Sequence, residues 1–495
     1  MIFLEKRGIV DNFSWMDSCC GKKAKGIVYL CGVNCTLGMN FTHVYFVGIG
    51  GIGMSAIARY FRHEGKQVAG YDRTPTPLTR ELESEGIAIH YEDDVRLIPD
   101  GFTDKKHTLV VYTPAVPNDH SELTMFRNEG FELVKRSKIL GVIAKNKTVM
   151  AVAGTHGKTT VTTMTAWFNH VVCTGSAFLG GISKNFNSNL VLGGGDRLAV
   201  EADEFDRSFL QLYPDSAVIT AVDADHLDIY GSYEAVKEAF SEFVSQIKPG
   251  GALVLKYGVD LEIKNKDLRV YRYSYDTPCD FYAKNVRLLE GGYSAFDLVC
   301  PDRVIRDCRT GVPGWVNVEN AIAATALLWC TGGFDDDDKL REAIVTFEGV
   351  KRRFDFYINT PQIVYMDDYA HHPEELRAAI TSLRGMFPGR RLTVIFQPHL
   401  YTRTRDFAPE FAETLSLADK VALLPIYPAR ELPIEGVSSE MILKDVTVPN
   451  RLIQKEGILP FVEAEDLDVL ITFGAGDIDV YCAAVAEALR KKYKL

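Results

Sequence analysis

The chain has 495 residues, 46% of them hydrophobic and 24% charged, and carries a net charge of −11. Its length predicts roughly three domains, and its apolar content is ample for several cores. The acidic balance, with no stripe of Lys and Arg, excludes a general nucleic-acid binder; no apolar run reaches the roughly 18 residues that a membrane span needs.

Four of the ten cysteines (Cys19, Cys20, Cys31, Cys35) fall in the first 38 residues, where neither helical nor strand period is sustained. A CC pair followed by C-x-x-x-C lacks the paired C-x-x-C of a zinc site. The apolar stretch "GIVYLCGV" is short and has no small-residue cleavage signal behind it, so a secretory leader is not expected. Residues 1–38 are expected to be an appendage outside the fold. The other six cysteines are scattered singly, as in a reduced cytoplasmic protein.

From Met39 the pattern turns to strand, glycine loop and helix. "THVYFVG" reads as a short strand, "GIGGIG" follows, and Met54, Ile57, Ala58 and Phe61 recur at helical spacing. Gly48, Gly50 and Gly53, with Gly51 between them, fit G-x-G-x-x-G, and Asp72 closes the next strand, "QVAGYD". This is the dinucleotide fingerprint, but its physics requires only a diphosphate at a helix N-terminus. "HTLVVYTPAV" and "FELVKRS" complete a small α/β unit ending near Lys147.

The next unit opens with "AVAGTHGKTT". Gly154 and Gly157 allow a tight turn that aims N–H groups at phosphate oxygens. Lys158 supplies a cation for the terminal phosphates and Thr159 a hydroxyl for Mg²⁺. Two acidic clusters end the apolar strands that follow: Glu201, Asp203, Glu204 and Asp206, then Asp223, Asp225, His226 and Asp228. Hard oxygen ligands beyond the ends of parallel strands suit Mg²⁺ held together with substrate phosphates. Phe240, Phe243, Val244 and Ile247 mark an amphipathic helix, and "DDDDK" at 335–339 reads as a solvated charge run.

A third unit begins near "EGVKRRFDFY". "IVYMDDYAHHP" leads into a helix with Pro373 in its first turn. "RLTVIFQPH", "KVALLPIYPA" and "VLITFGAGD" are further short strands of an open, mostly parallel sheet. Their loops carry Asp367, Asp368, His371, His372, His399, Arg403, Arg405 and Asp477. His371 and His372 lack the HExxH frame or cysteine partner of a zinc site.

In this order Gly-Thr-His-Gly-Lys-Thr, "EADEFD", "DADHLD", "GWVNVEN", "KRRFDF", "DDYAHHP" and "QPHLYTRTRD" resemble the Mur ligases of peptidoglycan synthesis, from about Met39 to the C-terminus. The resemblance implies an α/β protein of three domains, each on a mostly parallel sheet: 39–147 for a UDP-sugar, 148–349 for ATP and 350–495 for the amino acid. The shortened spacing of the second glycine loop is the form this ATP-dependent amide ligase family uses. The implied reaction joins L-alanine to UDP-N-acetylmuramate, with ATP and Mg²⁺, through an acyl phosphate.

The same resemblance gives residues their parts. Gly48, Gly50, Gly51, Gly53 and Asp72 would hold the UDP-sugar. Gly154, Thr155, His156, Gly157, Lys158, Thr159, Thr160, Asn317, Asn320, Arg353 and Asp368 would hold ATP. Thr159, Glu201 and His226 would bind metal, with Lys158, Glu201, His226 and Arg353 catalytic. His371, His399 and Arg403 would position substrate. Val316 and Leu400 depart from the family pattern, which often has His at the first and Arg at the second. Other readings are a recycling ligase that attaches a murein tripeptide, an NAD-linked oxidoreductase, and a non-catalytic nucleotide-binding regulator.

Overall fold

The computed structural model describes residues 41–223, 227–429 and 431–495. Residues 1–38, expected to be an appendage, with their four cysteines, and the proposed metal ligand His226 lie outside the described residues, as does Asp225. Contacts divide the remainder into two compact units, 41–50 with 58–146 and 51–57 with 147–495.

The first sheet holds β1 (His43–Val47), β2 (Gln67–Tyr71), β3 (Ala88–His90), β4 (Thr108–Tyr112) and β5 (Glu132–Lys135), in the order β3-β2-β1-β4-β5. All its pairings are parallel. Near-continuous apolar runs such as Val44–Val47 are buried, as expected of strands covered on both faces. The order reverses between β1 and β4, where a doubly wound sheet opens its ligand crevice.

The second sheet has ten strands: β6 (Thr148–Ala153), β7 (Gly175–Ser183), β8 (Ser188–Val191), β9 (Arg197–Glu201), β10 (Ser216–Ile219), β11 (Ala252–Lys256), β12 (Arg269–Ser274), β13 (Phe281–Leu288), β14 (Ser294–Val299) and β15 (Val304–Arg309). Its centre, β11-β10-β6-β9-β7, is parallel. Antiparallel pairs finish both edges, β7 with β8 and β13-β14-β15 as a meander. The helix Lys158–Val172 and the all-round buried helix Trp315–Cys330 pack together in its core.

The third sheet holds β16 (Asp355–Asn359), β17 (Val364–Asp368), β18 (Leu392–Phe396), β19 (Lys420–Leu423), β20 (Asn450–Leu452) and β21 (Val469–Phe473), in the order β16-β17-β21-β18-β19-β20. Only β16 runs antiparallel to its neighbour. Separate apolar clusters form on its two faces, one around Val394 and Phe411 and one around Ile395 and Leu470. The three mostly parallel sheets match the α/β expectation.

The run at 335–339 is exposed at four of its five residues, as expected, and it also has a structural part. Asp336 caps the helix Asp337–Val345, accepting from the backbone N–H of Asp338 at 2.9 Å and Lys339 at 3.2 Å, and Asp337 reaches Arg303 at 3.3 Å. Acidic residues at a helix start satisfy orphan donors and complement the dipole, so the solvated run also opens a helix.

Candidate active site

The phosphate-loop geometry follows from two glycines. Gly154 leaves β6 at φ +139°, where a Cβ would stand 2.2 Å from Thr220 Oγ1. Gly157, at φ +79°, is the N-cap of the helix Lys158–Val172. Other residues pay a steric penalty in such conformations. The loop is pinned from β10, since the Thr220 hydroxyl donates to the carbonyls of His156 and Ala153. Thr155 Oγ1 donates to Asp223 Oδ2 at 3.0 Å, and His156 Nε2 stands 3.6 Å from the same carboxylate. The helix's first-turn N–H groups have no intrahelical acceptor and so form a ready anion site.

Lys158 Nζ donates to Gly154 O at 2.7 Å and meets Glu204 Oε1 at 2.7 Å. Thr159 Oγ1 donates to Glu201 Oε1 at 3.1 Å, and the other Glu201 oxygen accepts from Gly180 N at 3.2 Å. Sheet register explains this meeting: β9 lies beside β6 with Glu201 opposite Val152, so the carboxylate stands where the loop leaves the sheet. Burial raises the Glu201 carboxyl pKa, against the lowering effect of Lys158.

The donor set suits Mg²⁺. A hydroxyl and a carboxylate at a phosphate loop supply the one or two hard oxygens Mg²⁺ takes from protein, the rest coming from phosphates and water.

A cavity of about 250 Å³ lies alongside, lined by Thr160, Asn317 and Arg353 of the expected ATP set and by Tyr293, Phe354 and Asp355, which the sequence did not single out. Asn317 Nδ2 donates to Pro313 O at 2.6 Å, and Asn320 Nδ2 to Asn317 Oδ1 at 3.2 Å. Lys184 on the β7–β8 turn holds Asp355 at 2.8 Å, tying that turn to β16. Tyr293 lies in a connection without periodicity, so no local signal marked it, whereas Phe354 and Asp355 lie inside "KRRFDF" without having been given a part of their own.

At the end of β17, Asp368 accepts from the backbone N–H of Phe354 at 2.6 Å and Ala370 at 2.8 Å. Burial pushes its pKa up to about 6, opposed by the charge of Arg353. The guanidinium groups of Arg352 and Arg353 both lie on the Tyr369 ring, 5.1 and 5.3 Å from its centroid. The rings of His371 and His399 are 5.7 Å apart, and Arg403 Nη1 is 3.4 Å from His399 Nδ1. Burial, then His371 and Arg403, hold His399 down to about 4, so it is neutral at pH 7. Leu400 beside it adopts φ +73°, a strained position for a branched residue.

In the first unit Gly48 has φ +89°, and a Cβ there would stand 2.7 Å from Thr113 Cγ2 in the loop after β4. Asp72 braces the loop, its Oδ2 accepting from Gly50 N at 2.7 Å and its Oδ1 from Thr74 N at 3.3 Å. Both oxygens thus engage the backbone of the loop and of the following turn. Gly51 O accepts the first helical bond from Ser55 N, and Gly53 is the second residue of the helix Ile52–His63.

Three family models match in chain order: "Mur ligase family, catalytic domain" over residues 43–148, "Mur ligase middle domain" over 152–328 and "Mur ligase, glutamate ligase domain" over 352–477. The chain belongs to the Mur ligase family. It is 51% identical over 459 residues to the UDP-N-acetylmuramate–L-alanine ligase of Parabacteroides distasonis, covering 92% of this chain and 98% of that one. It is 44% identical to the enzyme of that name from Flavobacterium johnsoniae, covering 91% and 98%. Among solved structures, the UDP-N-acetylmuramate–alanine ligase of Thermotoga maritima superposes with a TM-score of 0.74 at 28% identity, covering 91% and 99%. A murein peptide ligase from Psychrobacter arcticus shares the fold, with a TM-score of 0.65 at 22% identity over 90% and 98%.

In this Mur ligase most of the expected ATP residues gather at two places, the loop with Lys158 and Thr159, where the expected metal ligand Glu201 also stands, and the cavity with Thr160, Asn317 and Arg353. Asn320 links them, since its Oδ1 lies 3.6 Å from where a Gly157 Cβ would be. The oxygens of the first acidic cluster do not act alike: Glu201 meets Thr159, whereas Glu204 pairs with Lys158.

Proposed function

We propose that this chain joins L-alanine to UDP-N-acetylmuramate in an ATP- and Mg²⁺-dependent amide ligation, as a step in making peptidoglycan precursors. The observation that carries this is the 51% identity, over almost the whole of both chains, to a ligase named for those two substrates. The meeting of Lys158, Thr159 and Glu201 at one helix start supports it.

In this reading Gly154, Thr155, His156, Gly157 and Thr160 cradle the triphosphate, while Asn317 and Asn320 face the adenine. Mg²⁺, when bound to Thr159 and Glu201, neutralises phosphate charge; His226 is proposed as ligand to a second ion. Lys158 and Arg353 compensate the charge that spreads over the transferred phosphoryl group. The muramoyl carboxylate oxygen takes the γ-phosphoryl group as ADP leaves, and the alanine amine then attacks the acyl carbon, losing a proton and expelling phosphate. Asp368 fixes the backbone immediately after Arg353 and immediately after Tyr369. The neutral His371 and His399, with Arg403, position the reacting ends. Gly48, Gly50, Gly51, Gly53 and Asp72 shape the UDP-sugar loop.

The proposed domain limits are 39–147, 148–349 and 350–495. A cytoplasmic location is proposed from the nucleotide substrates; among the described residues no helix is long and apolar enough to cross a membrane. The test is ADP release with UDP-N-acetylmuramate and Mg²⁺, comparing L-alanine with glycine, L-serine and a murein tripeptide. L-alanine should give the highest kcat/KM. Preference for the tripeptide would move the chain to recycling, and NAD reduction without ADP formation would overturn the reading.

A further inference from the structure

Glu204 is held in place more firmly than a loop carboxylate needs to be. Its side chain is 1% exposed, and its Oε1 takes the Lys158 ammonium at 2.7 Å while Lys158 also donates to Gly154 O. The backbone around it is locked: Glu204 O accepts from Tyr230 Oη at 2.6 Å and from Arg207 N at 2.9 Å. Asp203 supports the same turn, its Oδ1 accepting from Phe205 N at 3.1 Å and its carbonyl from Phe209 N at 2.9 Å. Asp206 and Arg207 both take positive φ to close it. The chain thus fixes a buried carboxylate against the one ammonium of the phosphate loop.

We propose that Glu204 is a positioning residue for Lys158, the resting counter-ion that a nucleoside triphosphate must displace. A charge-assisted contact at 2.7 Å is among the stronger polar interactions, and polyphosphate oxygens compete for the same ammonium. Free energy spent in separating the pair is subtracted from triphosphate binding, so Glu204 sets the affinity of the loop below what its geometry would allow. It also keeps Lys158 against Gly154 O, at the mouth of the glycine turn, before a ligand arrives.

The inference rests on the proposed ATP reading of this loop, and the test separates the two. ATP–Mg²⁺ binding is measured by calorimetry on the full chain and on Glu204→Gln, Glu204→Asp, Lys158→Met and the Lys158→Met/Glu204→Gln double variant. Glu204→Gln, close to isosteric, should bind ATP about tenfold tighter than the parent with a lower kcat, because the lysine is less well placed. Glu204→Asp, which keeps the charge, should restore affinity towards the parent value. In the Lys158→Met background the Glu204→Gln change should have no effect on ATP affinity. Unchanged affinity in Glu204→Gln, or equal tightening with and without Lys158, overturns the inference while leaving the ATP reading intact. A parent protein that binds no ATP overturns both.

Discussion

The Thr159 hydroxyl donates to Glu201 at 3.1 Å, joining the second residue of the phosphate-loop helix to the end of the neighbouring strand. If these two oxygens are the protein's contribution to a Mg²⁺ site, Thr159→Val should raise the Mg²⁺ concentration for half-maximal ADP release by roughly 10- to 100-fold. Circular dichroism should be unchanged, because Val keeps the β-branched shape in the helix. A Mg²⁺ titration identical to the parent's would remove Thr159 from the site.

Lys158→Met should lower kcat by roughly a hundred- to a thousandfold, the scale on which one preorganised transition-state contact is felt. Single-turnover measurement of ADP formation at saturating ATP checks this, since weak binding is then not limiting. Near-normal turnover would make the lysine a structural residue only.

Asp368 predicts an acidic limb in the rate profile. Burial holds its pKa at about 6, so it is ionised at pH 7.5 and becomes protonated as pH falls through 6. The protonated acid is a weaker acceptor for Phe354 N and Ala370 N and loses its attraction to Arg353. kcat/KM for ATP should therefore fall below about pH 6, and Asp368→Asn should be slow but lack that limb. An unchanged limb in Asp368→Asn would assign it to another group.

The first unit contains a second acid held above its usual range. Glu122 is fully buried, accepts from Tyr45 Oη at 2.8 Å, and lies 3.1 Å from His90 Nε2; burial pushes its pKa up to about 8. The folded acid holds its proton at a pH where the unfolded one has lost it. Its stabilising contribution is thus complete below the unfolded pKa and is lost progressively up to about pH 8. Glu122→Gln should raise the melting temperature of the first unit at pH 8.5 and change it little or lower it at pH 5. Equal shifts at both pH values would contradict a buried titrating acid.

What the sequence made legible was local. Gly154 and Gly157 spell a turn whose chemistry lies within four residues, so strand, loop and helix at 148–172 are read directly. The carboxylates were legible as a set but not in their division of labour. Which oxygen meets Thr159 and which meets Lys158 depends on the register of β9 against β6, a pairing between residues far apart in the chain. Strands β7 and β12 were missed for a similar reason. β7, "GSAFLGGIS", is glycine-rich because Gly180 and Gly181 make room for the Glu201 carboxylate and for Val350 and Thr159, needs that only the folded neighbours reveal. β12, "RVYRYS", is a strand by virtue of its pairing with β11 and β13.

The walls of the 250 Å³ cavity come from Tyr293 and the 311–317 segment of the second sheet's domain on one side and from Phe354, Asp355 and Phe356 at the start of the third sheet on the other. A molecule seated there touches both, and it can do so only when both are folded. Such a ligand adds its binding free energy to the two domains jointly. Its occupancy would merge their melting into one cooperative event, whereas without it each sheet could open on its own schedule.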